Sequence, residues 1–324
     1  MANEYLNIAE AAKRRGPQGN VATIAELFTQ INDILNDGPM VMANDIYSHW
    51  ETVRTKLPTV APRLINQGAA RSASKTKQVQ ESIMLLEVFA DMDEQAIDHE
   101  PDKQKALRNE LQPFFEAMLQ EFTRIFFYGN PGVDSAECLG LATRYNLLAD
   151  TNVWAVGAGS GSDQTSVWMI EWGEMKFKLI YPRDSKSVGI QDEDLGKIRS
   201  YDSSTNPLMV YSHQIKAEFG WSLVNAKAVQ RLCNIDTTTL GTNDLLASNA
   251  MRKMIIAKNQ LPLFGKNAVI YCNRTTKTQF DIWATEKSNG FYLMKNITGE
   301  PLTVFQAIPV HMAEQITDLE DLVA

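Results

Sequence analysis

The sequence predicts an α+β protein, and three observations carry that expectation. Apolar residues recur at helical spacing over one long stretch, residues 102–128. Alternating or short continuous apolar runs, bounded by turn residues, mark strands within 152–182 and 209–224. Helical and strand patterns do not alternate regularly, so antiparallel strands with separate helices are expected and a doubly wound parallel sheet is not. The 324 residues suggest roughly two domains. A chain of this size buries about three quarters of its unfolded surface and needs no disulfide or metal staple.

The elements follow in order. Residues 1–20 carry charges throughout, with a polar break at Lys13-Arg14-Arg15-Gly16-Pro17, and read as an arm with no apolar core of signal-peptide length. Ile24, Leu27, Phe28, Ile31, Ile34 and Leu35 form one stripe and predict a helix over 22–36, stopped by Gly38-Pro39. Residues 41–80 change character. Pro58 and Pro62 interrupt them and apolar residues are sparse. Between residues 50 and 80, Arg54, Lys56, Arg63, Arg71, Lys75 and Lys77 face a single acid, Glu51. A long, poorly packed hairpin is expected there. An isolated hairpin is marginal in water, so a long one implies a surface to lie on, most simply another copy of the chain. Trp50 and the six cations are the candidate inter-subunit contacts. Acids on a neighbour are their expected partners, because a nucleic-acid patch would interleave aromatics and only Trp50 is near.

Residues 79–98 return to dense apolar content and lead back to the body. Glu100-Pro101-Asp102 signals a helix start. Leu107, Leu111, Phe114, Phe115, Met118, Leu119, Phe122, Ile125 and Phe126 then share one face until Gly129-Asn130-Pro131-Gly132. The helix should reach ~40 Å, with Pro113 kinking it or marking its true start. Residues 153–156, 166–172 and 176–181 read as strands, with a Gly/Ser turn over 157–162. Residues 183–207 read as a surface loop, 209–224 as a long strand and 225–234 as a short helix. Residues 243–259 read as a helix with Leu245, Leu246, Met251, Met254, Ile255 and Ile256 on its apolar face. A strand at 268–272, a helix at 275–285 and a strand pair over 302–310 complete the series.

Several functions find no support. A net charge of −8 argues against a protein that coats DNA. Cys138, Cys233 and Cys272 form no CxxC pair, so neither zinc nor redox chemistry is indicated. His49, His99, His213 and His311 lie outside any metal-binding spacing. Gly157-x-Gly159-x-Gly161 resembles a phosphate loop but runs into a strand and lacks the closing Lys-Ser/Thr. No GxSxG elbow occurs. No cofactor, metal or catalytic residue is therefore expected, and no run approaches a membrane span. A soluble hydrolase-like α+β enzyme is the alternative, and it would need a pocket of convergent polar groups.

The order of arm, basic hairpin, long helix and strand-rich remainder resembles the Hong Kong 97-type capsid fold of tailed bacteriophages. Local segments are similar to one group of phage major capsid proteins: Leu57-Pro58-Thr59-Val60-Ala61-Pro62-Arg63-Leu64-Ile65-Asn66-Gln67-Gly68, Phe127-Tyr128-Gly129-Asn130, and Gly140-Leu141-Ala142-Thr143-Arg144-Tyr145-Asn146. Residues 161–173, 194–196, 234–236, 269–274 and 305–309 continue the likeness. The resemblance implies an N-terminal arm and helix (1–40) and an extended hairpin (41–80). It implies a peripheral domain (81–130 and about 205–235) built on a spine helix at 102–128. An axial domain (131–204 and about 236–312) and a C-terminal tail (313–324) complete it. It implies self-assembly into pentamers and hexamers around double-stranded DNA without sequence-specific contact. A scaffolding protein and a portal would be partners, with no membrane, assembly in the host cytoplasm and residence in the virion. One departure stands out: the candidate long peripheral strand at 210–224 precedes a further 100 residues, where the prototype has it near the C-terminus.

Overall fold

The computed structural model describes residues 33–99, 103–157, 161–183, 185, 188–201, 206–238, 244–285, 291–295 and 301–324. The expected arm, most of the helix over 22–36, the Glu100-Pro101-Asp102 signal and part of the Gly/Ser turn lie outside them. In chain order the elements begin with α1 (Asp33–Asp37), β1 (Met40–Met42), β2 (Ser48–Lys56), β3 (Lys75–Asp93), α2 (Glu94–Asp98), α3 (Lys103–Tyr128) and α4 (Leu141–Arg144). Next come β4 (Val153–Ala155), β5 (Gln164–Glu171), β6 (Phe177–Tyr181), β7 (Ile190–Tyr201), β8 (Pro207–Leu223), a 3₁₀ turn (Ala226–Ala228) and β9 (Val229–Asp236). The last are α5 (Asp244–Gln260), β10 (Ala268–Cys272), α6 (Arg274–Thr285), β11 (Phe291–Lys295), β12 (Pro301–Phe305) and β13 (Ile308–Met312).

Two sheets form. The first has the order β1-β6-β8-β3-β2, with β7 also on β8; the second runs β11-β12-β13-β10-β5-β9-β4. The helix α3 ties them together. Its 26 residues continue through Pro113, which neither starts nor stops it. The proline removes one backbone donor, while the stripe from Leu111 to Phe126 is buried on both sides of it in sequence. Phe126 packs its ring centroid 5.1 Å from Trp221 and 5.8 Å from Phe177 of the first sheet. Its neighbour Phe127 lies 6.1 Å from Trp168 of the second. Each such ring contributes about 1.5–3 kcal/mol by leaving water, so the C-terminal half of α3 is the centre of the core.

Several local expectations are corrected. Residues 190–201, expected in a loop, form β7, paired with β8 from Ile190↔Ala217 to Tyr201↔Pro207. The strand is charged on its exposed side and carries a bulge at Gly196, where φ is +70°; those features mark an edge strand and mimic a loop in sequence. Residues 225–234, expected as a short helix, hold a 3₁₀ turn only at 226–228; from Val229 they belong to β9, buried between β5 and β4. A short apolar run does not distinguish a helix from a strand buried on both faces. In α5 the stripe is Ala250, Met254 and Ala257, continuing to Leu261, and Ile255 and Ile256 are exposed. Sheet membership also cuts across the expected division of the chain. The strands β6 and β7 join the sheet beneath α3, and β9 joins the other.

The helix α1 docks through one carboxylate. Asp37 accepts from Tyr271 Oη at 2.7 Å and pairs with His311 Nδ1 at 2.8 Å. Burial disfavours the charged imidazole, but the Asp37 hydrogen bond and the charges of Asp37 and Asp33 outweigh it and the opposing Lys277, so the His311 pKa is raised. A raised histidine contributes stability fully below its ordinary pKa of 6.5 and loses it as pH climbs through the folded value. Raising pH from about 6 to about 9 should therefore lower the protection of amides over residues 34–43, taken as exchange relative to the intrinsic rate at each pH. His311→Gln should flatten that pH dependence, and an unchanged profile would refute the docking role.

Candidate assembly surface

The hairpin starts from a paired stem. Residues of β2 and β3 oppose each other from Ser48↔Ser82 to Arg54↔Thr76, and after an irregularity Lys56 stands opposite Lys75. A directly opposed like-charge pair weakens an isolated stem. The residues from 57 to 74 form the tip, and every residue from 54 to 78 is exposed. The tip holds itself with few bonds: Arg63 Nη1 donates to Gln67 O at 2.7 Å and Ser72 Oγ to Thr59 O at 2.7 Å.

The structure places Trp50, Arg54, Lys56, Arg63, Arg71, Lys75 and Lys77 on this one projecting element, all exposed. Among the described residues none of the six cations has an acidic partner. Sequence reasoning missed that Leu57, Val60, Leu64 and Ile65 at the tip are also exposed. Their spacing of three and four residues hinted at a stripe, but Pro58 and Pro62 forbid the helix that would bury it. The projection is therefore amphipathic, with cations along its stem and tip and apolar side chains gathered at the tip.

The root is fixed where the tip is free. Glu81 is buried and receives Arg144 from α4 in a two-pronged ion pair, Nη1 at 2.8 Å and Nη2 at 2.6 Å. Cys138 Sγ donates to Ser82 O at 3.2 Å, and burial pushes that thiol up to about 11. Asn44 donates to Trp50 O at 2.7 Å and accepts from Trp50 N at 2.9 Å. Burial raises the Glu51 carboxyl, but Lys178 and His49 outweigh it and hold its pKa below the usual range. These contacts aim the projection while contributing nothing beyond its root.

Chemistry of another kind is not assembled. His49 pairs with Glu51, His213 lies 3.6 Å from Asp192 and Asp194, and His311 pairs with Asp37. These are separate ion pairs, and among the described residues no three metal-ligating side chains gather. A cleft of about 360 Å³ between α1, α3 and the end of β13 presents Asp33, Glu116 and Glu314. No helix among the described residues is long and apolar enough to cross a membrane.

The comparisons agree with this geometry. No curated protein sequence matches the chain. A chain of bacteriophage Epsilon15, from a cryo-EM structure, superposes with a TM-score of 0.61 at 22% identity, covering 90% of this chain and 88% of that one. The bacteriophage JBD30 capsid chain gives 0.52 at 10% identity, covering 88% and 91%. At these identities the likeness shows a shared fold, the Hong Kong 97-like capsid fold. Residues 16–324 match the family model of major capsid protein GP7. The chain belongs to the major capsid protein GP7 family and is a shell-forming component of a phage virion.

Proposed function

We propose that the chain assembles into pentamers and hexamers that tile an icosahedral head around double-stranded DNA. The observation that carries the reading is the projecting hairpin, whose six cations have no acidic partner among the described residues. Each hairpin lies across a neighbour, seats Leu57, Val60, Leu64 and Ile65 there, and pairs its cations with that neighbour's acids. Exposed pairs contribute only ~0.2–1 kcal/mol each. Weak contacts repeated over many interfaces allow errors to be undone before a shell locks.

The role is structural, with no catalytic step. Assembly takes place in the host cytoplasm with a scaffolding protein and a portal. The net charge of −8 suits a wall that encloses DNA without gripping it. Sheet membership supports a peripheral domain of α3 with β3, β6, β7 and β8, and an axial domain built on β5, β9, β10 and their neighbours.

The double variant Arg63→Glu/Arg71→Glu should cut particle yield at least tenfold. The subunit's melting should stay within about 0.5 kcal/mol of the parent, since both positions are exposed. Electron microscopy with a thermal melt reads both quantities. Normal shells from this variant would refute the hairpin's role.

A further inference from the structure

Among the described residues, seven non-glycine positions have positive φ. Asn66, Asn234 and Asn267 are asparagines, which tolerate that region. Val188 is fully buried, so packing holds it. Gln306 and Ala307 form the two-residue link between β12 and β13, and Lys258 Nζ donates to Gln306 O at 3.0 Å. Phe264, at φ +55° and 70% exposed, is the large apolar side chain among them that stands in water.

Phe264 and Gly265, at φ +55° and +85°, fill the centre of a turn closed by Lys266 N–H on Leu263 O at 3.1 Å. Positive φ at both central positions marks a type I′ turn, whose first position favours Asn, Asp or Gly. A phenylalanine there strains the backbone and hides little of its ring within the subunit.

The turn is nevertheless firmly mounted. The fully buried Glu171 accepts from Leu263 N at 3.2 Å and pairs with the Lys176 ammonium. Lys176 N–H in turn donates to Gly173 O at 3.0 Å, closing a second turn that carries Met175. Met175 is 77% exposed and Leu263 53%. One carboxylate thus ties together the backbones of two turns that carry three exposed apolar side chains. Apolar anchors on a backbone that is already ordered lose less freedom on association, and such anchors are the usual core of a protein interface.

We infer that Met175, Leu263 and Phe264 form a preorganised contact that docks on a second copy of the chain. The inference rests on the assembly reading above. A protein that forms a shell has its own copies as neighbours, and the cost of holding an exposed phenylalanine at positive φ is offset by its burial between subunits.

Phe264→Asn separates folding from docking, because asparagine suits the turn better than phenylalanine does. The isolated variant subunit should resist urea at least as well as the parent. Its assembly into capsomers or particles, read by sedimentation of the full-length chain, should fall at least tenfold. Met175→Ser, on a turn without positive φ, should lower assembly in the same way. Parental assembly by either variant overturns the inference, as does a lowered urea midpoint in Phe264→Asn. A parent chain that forms no particles or capsomers even when its scaffolding protein is co-expressed would instead sink the assembly reading itself.

Discussion

Arg144→Ala should unfasten the hairpin from the body. The guanidinium meets Glu81 at 2.6 and 2.8 Å, and Glu81 is only 6% exposed. Taking away one partner leaves the other charge buried and uncompensated, which costs about 3–5 kcal/mol. Glu81 opposes His49 across the stem and precedes the stretch of β3 that pairs with β8. The loss should therefore appear as local opening. Amide exchange should rise over residues 48–56 and 75–84, proteases should cut more readily between 57 and 74, and particles should not form. Replacing both partners, Arg144→Leu with Glu81→Leu, removes the stranded charge and should recover most of the stability. A single variant with parental exchange would show that the pair does not hold the stem.

Glu320→Ala should destabilise the whole subunit by a similar ~3–5 kcal/mol. Its carboxylate pairs with Arg231 Nη2 at 2.9 Å and accepts from Tyr128 Oη at 2.5 Å and from Ser166 Oγ. Arg231 also donates to Ser166 Oγ at 3.0 Å and to Tyr145 O at 2.7 Å. The segment 313–324, expected as a tail, is thereby sewn into the core. Its Glu320 N–H donates to Gln164 O at 2.8 Å, and Asn234 holds both the N–H and the C=O of Val323. Burial and the Glu320 charge raise the Tyr128 pKa, so the phenol stays a donor throughout the neutral range. Urea unfolding of the unassembled subunit measures the effect. A midpoint equal to the parent's would mean that solvent already screens the pair.

The two clamps explain what was legible in the sequence and what was not. The helix α3 was readable because its stripe from Leu107 to Phe126 repeats over about five turns, and the hairpin because its charge runs one way between Arg54 and Lys77. Both signals are local. Arg144 and Glu81 are 63 residues apart, and Arg231 and Glu320 are 89 apart. No periodicity links such pairs, and each member alone looks like an ordinary surface charge. The same limit hid β7, whose polar residues make sense only beside β8, and Phe264, whose backbone angle leaves no trace in composition. The cationic half of the candidate surface was therefore visible, and its apolar half and its root were not.

The strand β3 has 19 residues, and at about 3.3 Å each it extends roughly 60 Å without a break. Its first part pairs with β2 in the projection and its second with β8 in the body. There is no joint between the two, so the projection behaves as a cantilever built into the sheet. A pull along the tip loads the rungs between Ile83↔Gly220 and Asp93↔Val210 side by side in shear. Rungs loaded together share the force, whereas a hairpin attached through a loop would unzip one rung at a time. With the proposed packing of the hairpin on a neighbour, tension between subunits would be carried straight into the sheet that supports α3.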